Sequence, residues 1–221
     1  MKSVWDSGGE PASLVWMTPN AEATIAYIAR VSSDWQENPE YLKLFRYLVK
    51  HGHWSPFEHA VACVEINTTR AIAAQILRHR SFSFQEFSQR YQSVTNRPVM
   101  GEQRLKGSTN RQGSVDWNLR NATMEQLTAA ENGRKAIDAA WSAYNDMLEA
   151  GFAPETARNV LPLCTPTRMY MTGSIRSWIH YLKLRLDPTT QEEHRKIAEA
   201  IRDVLDKDMP NIMKLTGLNE V

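Results

Sequence analysis

Arg78-His79-Arg80-Ser81-Phe82-Ser83-Phe84-Gln85-Glu86-Phe87-Ser88-Gln89-Arg90-Tyr91 is the stretch on which the reading of this chain turns. Three arginines and a histidine fall within it, interleaved with hydroxyls, one carboxylate and three phenylalanines. A surface helix would spread such charges towards water. Here charge alternates with large apolar groups, so some of the cations are expected to lie against apolar surface. A cation there is costly unless an anion compensates it. Two compensations are open. One is an internal ion-pair network with Glu58, Glu65 and Glu86. The other is a ligand carrying phosphates or a delocalised negative ring.

Working outward, the chain has 221 residues, enough for one sizeable domain with its own core. Hydrophobic content of 42% and charged content of 23% fit a folded globular protein. A net charge of +1 provides no general basic field, so any anion binding must be local. Cys63 and Cys164 have neither metal-ligand spacing nor disulfide density, and Cys63 falls in an apolar stretch that reads as core. The opening MKSVWDSGGEP has no apolar signal region, and no run reaches membrane-span length. A cytoplasmic location is the expectation.

Periodicity and punctuation predict strands over 12–17, 61–66 and 167–172. Helices are predicted from Thr18-Pro19 to Val31, from Asn38-Pro39 to Gly52, over 70–79, 121–150, 154–160 and 174–186, and from Asp187-Pro188 to Pro210. The long helix should turn Met124, Leu127, Ile137, Trp141, Tyr144 and Leu148 inward, with a break possible at Asn132-Gly133. Residues 91–100 read as extended and 101–116 as a polar, mobile loop. No repeat or linker interrupts the chain. The expected fold class is α+β: a single domain over 1–221 with a mixed or antiparallel sheet packed with long helices.

Two further clusters bear on chemistry. His51-Gly52-His53-Trp54-Ser55-Pro56-Phe57-Glu58-His59 holds three histidines, but not at metal-ligand spacing and without HExxH or CxxC. No metal is expected; a loop bearing Ser, His and Trp suits a polar heteroaromatic ligand. In Ser174-Ile175-Arg176-Ser177-Trp178-Ile179-His180-Tyr181-Leu182-Lys183-Leu184-Arg185, Arg176 and His180 share a helical face. Ser174 and Arg185 return nearly to register, about 16 Å apart along the axis. With Arg158, these groups make anion sites on two sides of one helix plausible. There is no GxGxxG, Walker or GxSxG sequence, and no cysteine sits beside a histidine as a nucleophile would.

The Arg78-His79-Arg80, seven residues, Ser88 pattern resembles the signature of flavin-dependent thymidylate synthases. The similarity extends to residues 51–59, Gln75, Glu86 to Arg90, Ala157 to Pro162 and Leu184-Arg185. It spans about Ala12 to Pro210 and is weakest from Gly101 to Gly113. The resemblance implies a homotetramer with FAD sites at subunit interfaces. It implies conversion of dUMP to dTMP, with 5,10-methylenetetrahydrofolate as carbon donor and NADPH as reductant. Ser55, Arg78, His79, Arg80, Glu86, Ser174, Arg176 and His180 would hold FAD, with the Arg-His-Arg residues supplying cations to it. Gln75, Arg78, Glu86, Phe87, Ser88, Gln89, Arg90, Arg158 and Arg185 would hold dUMP, with Arg90 and Arg158 on the phosphate. Arg185 would face the uracil as the catalytic group, and Ser88 would bind nucleotide without acting as nucleophile. The folate would lie near His53 and Arg80. Ser174 and His180 depart from the asparagines of some members while keeping hydrogen-bonding ability.

Two other functions use the same residues. A flavin-dependent pyrimidine-nucleotide hydroxymethylase would share these sites but release a different product. A non-catalytic nucleotide or nucleic-acid binder would use the basic residues from Arg78 to Arg97, against which net charge and the lack of an RNA-binding aromatic motif both argue. Neither nucleic acid nor membrane is an expected partner.

Overall fold

The computed structural model of the chain describes residues 10–108 and 113–219. Among these residues six strands form: β1 (Ala12–Met17), β2 (Val61–Thr69), β3 (Ser83–Glu86), β4 (Arg104–Lys106), β5 (Ser114–Asp116) and β6 (Pro166–Ser174). Eight α-helices accompany them among the described residues: α1 (Ala21–Ala29), α2 (Leu42–Lys50), α3 (Arg70–Ile76), α4 (Met124–Glu149), α5 (Pro154–Ala157), α6 (Ile175–Arg185), α7 (Glu192–Asp206) and α8 (Pro210–Leu215). The main sheet has the order β1-β2-β6-β3, and β4 pairs with β5. Its β1–β2 pair is antiparallel, with a bulge at Val15. The α+β class expected from the sequence is the class observed.

The chain forms two compact units. The first, the α6 unit, comprises Pro11–Ile66, Ile76–Gln85 and the chain from Met169 onward. Its core includes the fully buried Ile25, Phe45, Phe57, Met171, Trp178 and Leu182. Helix α6 follows β6 without a loop. Ser174 caps it, accepting from Ser177 N at 3.3 Å, which explains why a helix starts there. Ile175, Trp178, Ile179 and Leu182 recur at helical spacing and are all buried. Two bonds tie the helix to β2 and the residue before it: Ile175 N to Ala60 O at 2.8 Å and Trp178 Nε1 to Ala62 O at 3.2 Å. Helix α7 packs on β1 and α6 through Ile197, Ala198, Ile201 and Leu205.

The second, the α4 unit, contains Asn67–Gln75 and Glu86–Arg168. A capping box starts α4, with Thr123 and Gln126 exchanging side-chain-to-backbone bonds at 3.2 and 3.1 Å. Its core is Val94, Tyr144 and Ala157, packed by Phe87, Trp141 and Leu161 among others. The Tyr144 hydroxyl accepts from Val94 N at 2.8 Å, so this aromatic fixes a segment that has no regular structure.

Several sequence expectations need correction. Thr18-Pro19 does not start α1; Thr18 instead closes the β1–β2 ladder, bonding Val61 through its own N–H and its hydroxyl. The cap position is Asn20, at φ +48°. Asn38-Pro39 and Asp187-Pro188 likewise precede their helices. Asn38 Oδ1 accepts from Glu40 N, and Asp187 Oδ1 from Thr189 N, each at 2.8 Å, so both are Asx turns. Helix α3 ends at Ile76 and leaves Arg78 to Arg80 outside it. Pro210 opens α8 where the last helix was expected to stop. Residues 91–100 form no strand, and the expected loop over 101–116 carries the β4–β5 pair. Its residues 109–112 lie outside the described residues.

Gly133 does not break α4. A Cβ there would sit 2.7 Å from Met100 Cε, so the glycine serves a close approach. Met124, expected to face inward, is 75% exposed. Cys63 is core, as read.

Gly173, the next-to-last residue of β6, makes room for Phe82. A Cβ on it would overlap the ring, 2.6 Å from Cε1. Phe82 is held there edge-on to Trp178, with ring centroids 4.7 Å apart. Gly173→Ala is therefore expected to destabilise the chain by about 1–3 kcal/mol through overpacking. Urea unfolding will show a lower midpoint at unchanged slope; an unchanged midpoint would mean that the Phe82 ring is not fixed by this contact.

Candidate active site

Beyond α3 the chain turns sharply. His79 N bonds Ile76 O at 3.0 Å and Phe82 N bonds His79 O at 3.3 Å. Ser177 of α6 donates to Ser81 O at 3.4 Å. This turn leaves Arg78 and Arg80 exposed and directs His79, half-buried, towards Tyr181. The expectation that cations of this stretch lie against apolar surface is thus corrected. The apolar partner of the turn is Phe82; the guanidinium groups stay in solvent. Neither Arg78 nor Arg80 pairs with a carboxylate among the described residues.

Arg185, at the end of α6, donates from Nε to His79 Nε2 at 3.0 Å. Arginine has no acceptor, so His79 must accept here, and only a neutral imidazole protonated on Nδ1 can do so. Burial first, then the positive charge of Arg185, pushes His79 down to about 4. The cationic role expected for His79 is therefore corrected: at neutral pH it is an uncharged acceptor. Arg185 also has no carboxylate partner among the described residues.

Glu58 organises the opposite end of α6. One carboxylate oxygen accepts from the Ser174 hydroxyl at 2.5 Å, the other from Arg176 Nη1 at 2.8 Å. The Ser174 hydroxyl, with Arg176, holds Glu58 below the usual carboxylate range. Beside it lies an open cleft of about 480 Å³ lined by Gly52, His53, Trp54, Ser55, Pro56 and Arg176 among others. Gly52 ends α2 at φ +67°, which lets the chain reverse into that lining. His180 is exposed on the same helix. No group of three or more metal-ligating side chains forms among the described residues; His51 and His53 pack instead against Tyr47 at 4.4 and 5.6 Å between centroids.

In the α4 unit, Glu86 is held by Arg70 at 2.6 Å and by the Thr167 hydroxyl at 2.9 Å. Phe87 packs its ring into the Val94–Tyr144–Ala157 core, so its side chain is structural here. Ser88 is exposed, whereas Gln89 is 7% exposed and its Nε2 is buried with no hydrogen-bond partner among the described residues. Such an orphaned donor asks for a ligand or another chain. Gln75 lies on α3, partly exposed. Arg90 pairs with Glu155 at 2.8 Å, but both side chains are largely in solvent, where the pair is weak and easily exchanged. Arg158, partly exposed, has no carboxylate partner among the described residues. Arg97 pairs with Asp138. Of the basic run proposed for a nucleic-acid surface, Arg90 and Arg97 are thus already paired.

The sequence reading missed Arg70, Tyr181 and His194. Tyr181 stands four residues before Arg185, and His194 interrupts an otherwise apolar stripe on α7. That interruption was the available signal.

Comparison with known proteins identifies the family of the chain. The family described as thymidylate synthase complementing protein matches residues 13–211. A flavin-dependent thymidylate synthase of Synechocystis sp. is 47% identical over 204 residues, which is 92% of this chain and 90% of that protein. A probable flavin-dependent thymidylate synthase of Paramecium bursaria Chlorella virus 1 is 45% identical over 88% of this chain and 89% of its own length. Among solved structures, the crystal structure of a UMP/dUMP methylase PolB from Streptomyces cacaoi bound with 5-Br UMP superposes with a TM-score of 0.81 at 26% identity, covering 93% of this chain and 92% of that one. With a match over nearly all its length and a Synechocystis relative almost half identical to it, the chain belongs to the thymidylate synthase complementing protein family, the flavin-dependent thymidylate synthases.

Proposed function

We propose that this chain is a flavin-dependent thymidylate synthase that methylates dUMP to dTMP. The carbon comes from 5,10-methylenetetrahydrofolate. The observation that carries this reading is Arg185: a guanidinium fixed in direction by a neutral histidine and left without an anion among the described residues. Uracil C5 is a poor nucleophile. A guanidinium at N3 and O2 stabilises negative charge developing on the ring, so that C5 can attack the electrophilic carbon. No cysteine addition to the ring is needed, and Cys63 is buried in the core.

The residues present fit FAD. Arg78 and Arg80, without a carboxylate partner among the described residues, suit its pyrophosphate, and Arg176, held with Ser174 by Glu58, lines the cleft beside Ser55. His79, Glu86 and His180 complete the set assigned to it. When bound, FAD supplies the hydride chemistry, with NADPH as the reductant. On the dUMP side, Arg158 and Arg90 take the phosphate, the latter by exchanging Glu155 for it. Gln75, Arg78, Glu86, Phe87, Ser88 and Gln89 complete that set, Phe87 through its backbone because its ring is in the core. Met124, Trp35 and Tyr91 are 75%, 77% and 90% exposed, large apolar surface that suits a homotetramer with active sites at subunit interfaces. Light scattering at four times the 25.3 kDa chain mass is the expected result; a monomer would remove that part of the proposal. No helix among the described residues is long and apolar enough to cross a membrane. The cytoplasm is the proposed location, and the two compact units are proposed to work as one catalytic domain.

The purified protein is expected to show a flavin absorbance band that bleaches anaerobically with NADPH. The band should return as methylenetetrahydrofolate and dUMP are consumed, with a product of dTMP mass. A hydroxymethylated nucleotide would assign the alternative chemistry, and failure to bind FAD would reject both. Arg185→Ala should lower dTMP formation by about 10²–10³-fold while the flavin band stays in place. Undiminished turnover in that variant would remove Arg185 from the chemistry.

A further inference from the structure

Behind the His79–Arg185 contact lies a buried polar pair that none of the assigned sites uses. The Tyr181 hydroxyl and His194 Nε2 are 3.1 Å apart, and both residues are fully buried. The Tyr181 ring stands edge-on to His79, with centroids 4.9 Å apart at 74°. The His194 ring is 6.4 Å from His79 at 88°. Tyr181 and Arg185 lie one turn apart on α6, and His194 is on α7. We propose that the Tyr181–His194 pair acts as a positioning element for catalysis, walling the His79 ring so that its Nε2 stays available as the acceptor for Arg185 Nε–H.

The chemistry of the pair explains why these residue types are used. His79 is faced by Tyr181, Arg185 and His180 from α6, by His194 from α7 and by Arg78 from its own turn. Most of these are cationic or potentially cationic, so water entering this wall would make protonation of His79 easier. Protonated, His79 cannot accept, and it would repel the guanidinium it now orients. A phenol and an imidazole bonded to each other give a wall that is polar enough to be specific, yet uncharged. Burial pushes His194 down to about 3 and raises Tyr181, so neither ionises across the working range. Removing one partner takes from the other the bond between them, and a polar cavity of that kind takes up water.

The proposal rests on Arg185 acting at the uracil, and its test reads the two apart. In FAD-loaded protein, histidine C2–H exchange followed by mass spectrometry gives the titration midpoint of His79 without requiring turnover. The native midpoint is expected near 4. In His194→Ala it should rise towards the ordinary 6.5, by about one unit or more. Tyr181→Phe should move it in the same direction. His194→Gln, which keeps an acceptor for the hydroxyl and fills the space, should restore it. The sign for activity follows. A raised midpoint means that Arg185 loses its acceptor at higher pH, so the acid limb of kcat/KM for dUMP shifts upward with it. With the midpoint at the ordinary 6.5 the loss should be about fourfold at pH 6, larger at pH 5 and negligible at pH 8, where His79 is neutral in every variant. If the midpoint is unmoved in folded Tyr181→Phe and His194→Ala, the proposal fails; if His194→Ala does not fold, Tyr181→Phe decides alone. A shifted midpoint with an unshifted acid limb would retain the wall but overturn its catalytic meaning, and with it the role given to Arg185.

Discussion

The bond from Arg185 Nε to His79 Nε2 constrains everything around it. It can exist only while the imidazole is neutral, and it sits among positive groups. A structure that needs a positive guanidinium aimed at a ligand must keep the neighbouring histidine uncharged. The protein achieves this largely by burial, which raises the cost of a second cation. That requirement explains the turn geometry. The stretch must leave the helix after Ile76 so that the middle residue of Arg78-His79-Arg80 points inward while its neighbours point out.

The turn in turn depends on a contact at the other end of α6. Phe82 reaches its position because Gly173 has no side chain, and Trp178 holds the ring from α6. Ser81 is bonded by Ser177 on the first turn of the same helix. Ser174 therefore does two things at once. Its oxygen caps α6 and its hydroxyl proton goes to Glu58, which also holds Arg176. Helix α6 is the common rail. Its N-terminal turn sets the Glu58 cluster, its middle sets the turn, and its last residue carries the guanidinium.

How much of this was legible follows from the range of each interaction. The buried stripe of α6 and its serine cap are local, and were readable as period and punctuation. So were β1, the body of α4 and the end of α2 at Gly52. The proline-based starts failed for a common reason. Asn38 and Asp187 can bond a backbone N–H two residues on, and this competes with helix initiation. Thr18 failed because its hydroxyl had a strand partner 43 residues away. Strand β3 was missed because its four residues alternate exposed and half-buried, too few to establish a period. Arg70 beside Glu86 and Glu58 beside Ser174 are pairings across the sheet order, which no local pattern encodes.

The same distinction governs the cations. Spacing identified Arg78, Arg80, Arg158 and Arg185 as a set, but could not separate arginines that hold the protein together from those reserved for ligands. Geometry separates them. Arg70, Arg97 and Arg176 each meet a carboxylate of the chain. Arg78, Arg80, Arg158 and Arg185 meet none among the described residues. Unpaired guanidinium groups contribute little to folding, so Arg78, Arg80 and Arg185 around the half-buried, neutral His79 are a cost accepted for binding anions. Arg90 falls between the two classes, paired with Glu155 but in solvent, where a phosphate dianion competes well against a single exposed carboxylate. An arginine of that kind can exchange an internal partner for a substrate without leaving a buried charge behind.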